Sequence, residues 1–223
     1  MSSIRHAPTT RCWRLPRLFA PIFRSVYHLH HAVATTLRWI YRAFYAGPLF
    51  RGRCDSVGAG FDLTKIPDIN GHCHLMIGNN VRFRGHVGVG SGRVFDQPQF
   101  VVGDGVELGH DAVFTVNREV RLDNGVRVGA GSRFLDTDGH PRDAALRAAN
   151  VPPPREEIKP VHVCANVAIG RGSFVLKGVT IGEAATVGVG SVVVADIPPY
   201  AVAAGNPARI LSRRVQPKEP SQP

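Results

Sequence analysis

Between Val163 and Val193 every sixth residue is aliphatic: Val163, Ile169, Val175, Ile181, Val187 and Val193. A second, mostly small set recurs four places on, at Val167, Ser173, Val179, Ala185 and Ser191. A beat of six is neither the 3.6 of a helix nor the 2 of an ordinary strand, so it predicts short strands joined by tight turns. The same beat, with register steps of two, runs through Ile77, Phe83 and Val89, then Val102, Leu108, Phe114 and Val120, then Leu122, Val128 and Phe134. Glycine commonly follows the aliphatic residue, as at Gly103, Gly129, Gly170 and Gly188, where a corner needs close backbone approach or positive φ. Three such hexapeptides make one triangular coil of about 18 residues with the aliphatic side chains on the axis. A Gly-rich disordered linker would not keep this phase over so much of the chain. The expected fold class is therefore all-β, a parallel β-helix.

Ahead of the beat the pattern changes. Ile22, Val26, Leu29, Val33, Leu37, Ile40 and Phe44 follow steps of three and four, which predicts one amphipathic helix from about Ile22 to Tyr45, stopped by Gly47-Pro48. Charge separates the same region: residues 1–54 hold nine arginines and no acid, leaving eighteen basic against seventeen acidic residues for the rest of a chain whose formal net charge is +10. The expected organisation is a basic helical arm over 1–67, a β-helix over 68–211 carrying an insertion at 135–160, and a Pro-rich tail over 212–223. Arg24, His28, His30, His31, Arg38 and Arg42 interrupt any apolar window, which disfavours a transmembrane span, and no secretory signal is evident. Two readings of the arm stay open: a cap on the end of the β-helix, or a peripheral contact with an anionic membrane surface. A mitochondrial transit peptide is disfavoured because the apolar stripe runs on towards the domain. No nucleic acid is expected as a partner, since no recognition motif accompanies the basic arm. The four cysteines, Cys12, Cys54, Cys73 and Cys164, form no CxxC pair, so reduced thiols and a cytoplasmic location are expected, possible peripheral attachment at the inner membrane face included.

The beat breaks for a long stretch between Phe134 and Val161, and a long insertion in a minimal solenoid is usually functional. It opens on Gly139-His140-Pro141. An imidazole, with an ordinary pKa near ~6.5, can take a proton from a hydroxyl and pass it to a leaving thiolate. His140 is the candidate base. Asp136 and Asp138 lie close by in sequence, and either carboxylate can hold the imidazole in its productive tautomer. Of the two, Asp138 is placed with His140 in the catalytic pair and Asp136 on the substrate side.

The repeats, the segment Gly178 to Val193 (GVTIGEAATVGVGSVV) and the tail Ile197 to Leu211 (IPPYAVAAGNPARIL) resemble the hexapeptide-repeat acyltransferases, over about Asp68 to Leu211. Within them the chain is most similar to the maltose, galactoside and polysaccharide O-acetyltransferases. The resemblance implies a left-handed β-helix, a homotrimer and acetyl-CoA as donor substrate bound between subunits, with a saccharide hydroxyl as acceptor. It also implies that His140 is the general base. Asn117 falls near a substrate-side acidic residue of the family and can hydrogen-bond a sugar hydroxyl. Arg171, Val189, Val194, Ala195 and Arg209 align with positions that contact CoA. The match is uneven: Val194-Ala195 replaces the family's usual Thr-Lys, and Ala168 its usual tryptophan.

Two other classes compete. The fragment Leu108 to Val113 (LGHDAV) also resembles γ-type carbonic anhydrases, but after His110 and His86 no third histidine falls at the spacing a zinc site needs, and no metal is expected. A non-catalytic scaffold is the second rival. His72 and His74 flank Cys73, and alternation along a strand places Cys73 inside and both histidines outside. Cys164 is not expected to act as a covalent nucleophile, because direct transfer makes one unnecessary.

Overall fold

The six-residue beat becomes three parallel sheets wound into six successive coils. The structure is a computed structural model that describes residues 19–92 and 94–213. Cys12, the first arginines of the basic arm and residues 214–223 of the Pro-rich tail lie outside the described residues, while Ser212 and Arg213 of the expected tail belong to the last strand. The chain divides into two units between Tyr41 and Arg42.

The first unit holds helix α1 (Ala20–Tyr41), on which Ile22, Val26, Leu29, Val33, Leu37 and Ile40 are solvent-exposed. No helix among the described residues is long and apolar enough to cross a membrane. The expected single helix is corrected at its C-terminal end. Arg42–Ala46 winds as a π-type turn and α2 (Gly47–Arg53) follows, with Pro48 in its first turn. Proline lacks an N–H, and the first turn of a helix has no use for one, so Gly47-Pro48 starts a helix here instead of stopping one.

The π-type turn opens the second unit, and helix α2 after it closes the top of the coil stack. Phe50 is buried, stacking on Phe61 at 5.1 Å and edge-on to Phe83 at 5.6 Å. Arg51 donates to the carbonyls of Val57 and Gly58, and Arg53 to those of Gly71 and Cys73. Two of the arm's arginines thus satisfy backbone acceptors along the first coil, which protects an edge that would otherwise recruit another strand.

The first coil runs through β1 (Ser56–Val57), β2 (Asp62–Leu63) and β3 (Asp68–Asn70), so the β-helix begins at Ser56, ahead of the expected boundary at Asp68. The next two are β4 (His74–Ile77), β5 (Arg82–Phe83) and β6 (Val87–Gly90), then β7 (Gln99–Val102), β8 (Glu107–Leu108) and β9 (Ala112–Thr115). The fourth is β10 (Glu119–Leu122), β11 (Arg127–Val128) and β12 (Arg133–Leu135), after which the insertion leaves the stack carrying the short helix α3 (Ala144–Ala148). The stack resumes with β13 (Val161–Val163), β14 (Ala168–Ile169) and β15 (Phe174–Val175), then β16 (Thr180–Ile181), β17 (Thr186–Val187) and β18 (Val192–Val193). An antiparallel pair, β19 (Ala201–Gly205) and β20 (Ala208–Arg213), extends the second sheet.

Register explains why the beat must be kept. Val102, Leu122, Val163 and Ile181 pair in one column of the first sheet, and Leu108, Val128, Ile169 and Val187 in one of the second. In the third sheet Phe114 pairs with Phe134, their rings stacked at 4.9 Å, while Phe100 leans on Phe114 at 4.6 Å. All three rings are fully buried. Glycine is required at the corner between the second and third sheets. A Cβ at Gly109, Gly129 or Gly170 would fall 2.5 Å from the backbone nitrogen of Ala130, Arg171 or Val189, respectively, one coil on. Cys73 is buried between half-exposed His74, which meets Asp55 at 2.7 Å, and exposed His72, as alternation requires.

Replacing Phe114 with alanine removes the middle ring of this stack. Chemical denaturation of the variant should show a loss of about 3–5 kcal/mol. A loss under about 1 kcal/mol would mean that the column collapses without cost.

Candidate functional site

The insertion is tied to the stack at both ends by one residue. Asp136 donates its N–H to Thr115 O at 3.2 Å, and its own carbonyl accepts from Lys159 N at 3.0 Å, so the loop leaves and returns beside the same peptide. Its carboxylate accepts backbone N–H bonds from Asn117 (2.8 Å), Arg118 (2.6 Å) and Glu119 (3.1 Å), and the side chain is fully buried. Burial pushes the Asp136 carboxyl above its ordinary range, while the N–H bonds from Arg118, Asn117 and Glu119 pull it back down. Asn117 continues the chain of bonds upward, its Oδ1 accepting from Gly92 N at 2.8 Å. Pro141, Pro153 and Ile158 are buried and pin the interior of the loop. Asp143 caps α3 by accepting from Leu146 N at 2.9 Å.

His140 stands exposed at the start of this loop, following Gly139, whose φ of +82° suits a residue without a Cβ. Neither expected partner reaches it: among the described residues no hydrogen bond joins His140 to Asp136 or Asp138. The expectation that either acid orients the imidazole is corrected for physical reasons. Asp136 is consumed by buried backbone donors, and Asp138 pairs with Lys177, which stands at the same corner one coil below. For the same reason Asp136, with no exposed oxygen, is a brace in this chain and not a surface that meets a substrate, and Asn117 is nearly as buried.

Asp138, Arg142, Glu156, Glu157 and Lys159 of the insertion face Leu176, Lys177 and Val194 of the stack across a cleft of about 450 Å³. Oε2 of Glu157 is buried and, among the described residues, has no hydrogen-bond partner. The five residues aligned with CoA contacts fall in two places beside the third sheet. Arg171 and Val189 stack at the Gly170–Gly188 corner, joined by Gly190 N donating to Arg171 O at 2.8 Å. Arg209 pairs with Ala204, which packs against Gly188, so it belongs to the same corner. Val194 and Ala195 follow β18 at the opposite corner, where Val194 lines the cleft. Val189 is 75% exposed and Val194 48%, unusual for valine.

Arg142, Glu156, Glu157, Lys159, Leu176 and Lys177 were not singled out from the sequence. Lys177 had a usable signal, since it falls two residues past the interior Val175 and so at the corner beneath the insertion's root. His86 and His110 both face Asp111, at 4.0 and 2.9 Å, but among the described residues they belong to no group of three metal-ligating side chains. Burial pushes the Cys54 and Cys73 thiols up to about 12, and raises Cys164 with Asp123 and Glu183 beside it, so none of the three is an activated nucleophile.

No family model matches the chain. A protein of Schizosaccharomyces pombe named as an acetyltransferase is 39% identical over 102 residues, 46% of this chain and 44% of the relative. The chain thus spans under half the length of that curated relative. Among solved structures, a hexapeptide-repeat containing acetyltransferase of Vibrio cholerae complexed with acetyl-coenzyme A superposes with a TM-score of 0.50 at 22% identity, covering 81% of this chain and 84% of that one. An N-acyltransferase of Bacillus cereus, in complex with dTDP-4-amino-4,6-dideoxyglucose and coenzyme A, superposes at 0.58 with 17% identity over 78% and 91%. These likenesses show the fold, the left-handed parallel β-helix of hexapeptide repeats.

Asp136→Ala strands three backbone donors and should cost about 2–4 kcal/mol in a denaturant titration. Asp138→Ala breaks an ion pair whose Lys177 is 14% exposed and whose Asp138 is 42% exposed, and should cost about 1 kcal/mol. Equal losses would show that Asp136 is not the brace.

Proposed function

We propose that this chain is a hexapeptide-repeat acetyltransferase that moves the acetyl group of acetyl-CoA to a hydroxyl of a saccharide, working as a homotrimer. The observation that carries the reading is the shared cleft. Residues of the insertion on either side of His140, Asp138 and Arg142, line it together with Val194, one of the positions aligned with CoA contacts. His140 lies between those two residues in the chain but does not itself line the cleft, so the reading places donor and acceptor against the insertion that carries it.

The chemistry is direct transfer. The imidazole of His140 takes the proton of the acceptor hydroxyl as its oxygen attacks the thioester carbonyl. The tetrahedral oxyanion collapses, the C–S bond breaks, and the imidazolium returns the proton to the leaving thiolate. Base catalysis supplies roughly 10²–10⁴-fold of this, and positioning much of the rest. Among the cleft's balanced charges, Arg142 and Lys159 are able to donate hydrogen bonds to the oxyanion. A hydroxylated acceptor also suits Glu157, whose buried Oε2 gains the donor it lacks. The exposed Phe174, Val189, Ile210 and Leu211, on or beside the second and third sheets, support assembly with further copies around the donor site.

The test is thiol release from acetyl-CoA with a panel of saccharide acceptors. His140→Ala should lower kcat by about 10²–10⁴-fold while leaving acetyl-CoA binding and the oligomer unchanged. Undiminished turnover in that variant would overturn the assignment of the base, and thiol release with no saccharide acceptor would overturn the assignment of the substrate.

A further inference from the structure

The outer face of the first sheet carries a cluster that acyl transfer does not use. Asp123 follows β10, His162 lies within β13, and Cys164 follows β13. One ligand atom from each, a carboxylate oxygen, an imidazole nitrogen and the thiol sulfur, lie within 4.8 Å of one another. Asp123 Oδ2 and His162 Nε2 are 2.8 Å apart, each side chain about one-third exposed (34% and 39%).

We propose that Asp123, His162 and Cys164 form a binding site for a divalent cation of the zinc class, separate from the acetyl-transfer cleft. Three arguments carry it. The backbone under the ligands is fixed: Asp123 N donates to Val163 O at 2.8 Å, His162 N to Val179 O at 3.0 Å and Cys164 N to Ile181 O at 2.9 Å. The ligands are therefore held by ladder bonds across three successive coils, and side-chain rotation alone can bring their donor atoms to the roughly 3–4 Å separations around a tetrahedral ion. The donor set is the second argument. Sulfur, nitrogen and oxygen together suit zinc and its borderline neighbours, whereas calcium and magnesium want oxygen alone. Three protein ligands also leave a coordination position open.

The surrounding charge is the third. Glu183 and Asp196 line the same depression as Asp123 and Cys164, about 550 Å³ in volume, so its field favours a cation. Arg121, the ladder neighbour of His162, is already paired with Glu119 at 2.8 Å. A bound ion would clamp the fourth and fifth coils together just below the root of the insertion.

Cobalt(II) reads the site without any assay of turnover. The full chain, stripped with chelator and titrated with cobalt, should develop d–d bands and a thiolate charge-transfer band that saturate at one equivalent per chain and vanish on adding zinc. Cys164→Ser should abolish the charge-transfer band, and His162→Gln should weaken binding at least tenfold while circular dichroism stays that of the parent. No thiolate band at millimolar cobalt would overturn the proposal. A band that survives in Cys164→Ser would overturn it equally, by assigning the metal to another thiol.

Discussion

Everything in this chain hangs on one constraint: each coil must lie directly on the last, so that interior side chains stack in register and backbone N–H groups meet the carbonyls one turn away. That demand explains the apolar residue at every sixth position and the glycines where corners nearly touch, as at Gly129 and Gly170. It also dictates where novelty can enter. An insertion cannot interrupt a strand without breaking two ladders, so it leaves at a corner, after β12, and re-enters at β13 without loss of register between Leu122 and Val163.

Asp136 is where the constraint of the stack turns into the shape of the site. By gathering the N–H groups of Asn117, Arg118 and Glu119, it closes the turn above the insertion, and its own carbonyl receives the returning chain at Lys159. The insertion is thereby held against Leu176, Lys177 and Val194, and the cleft between them is a consequence of that closure. His140 needs no hydrogen-bonded acid for its place on the chain. Its position is set by the loop roots and by buried Pro141 beside it.

The sequence made the stack legible because interior stacking acts on residue type at a fixed spacing. The first coil is legible too, since Val57, Leu63 and Ile69 keep the same spacing, and its first two strands fall inside the span to residue 67 given to the arm although the arm's arginines end at Arg53. Gly47-Pro48 suits both a helix stop and a first turn, so the pair alone does not distinguish the end it suggests from the beginning it is. The site was less legible. Asp136 and Asp138 stood out as acids near His140, but their partners are Asn117 to Glu119 and Lys177, which only the coiling brings near. Asp123 and His162 are separated in sequence by the whole insertion, which conceals that they occupy adjacent turns.

In the proposed reading, the third sheet and the insertion together receive a thioester donor. Calorimetric titration of the purified chain with acetyl-CoA reads that binding without an acceptor. Saturable binding at one site per chain is expected. An absence of heat at millimolar acetyl-CoA would contradict it and leave the β-helix as a scaffold.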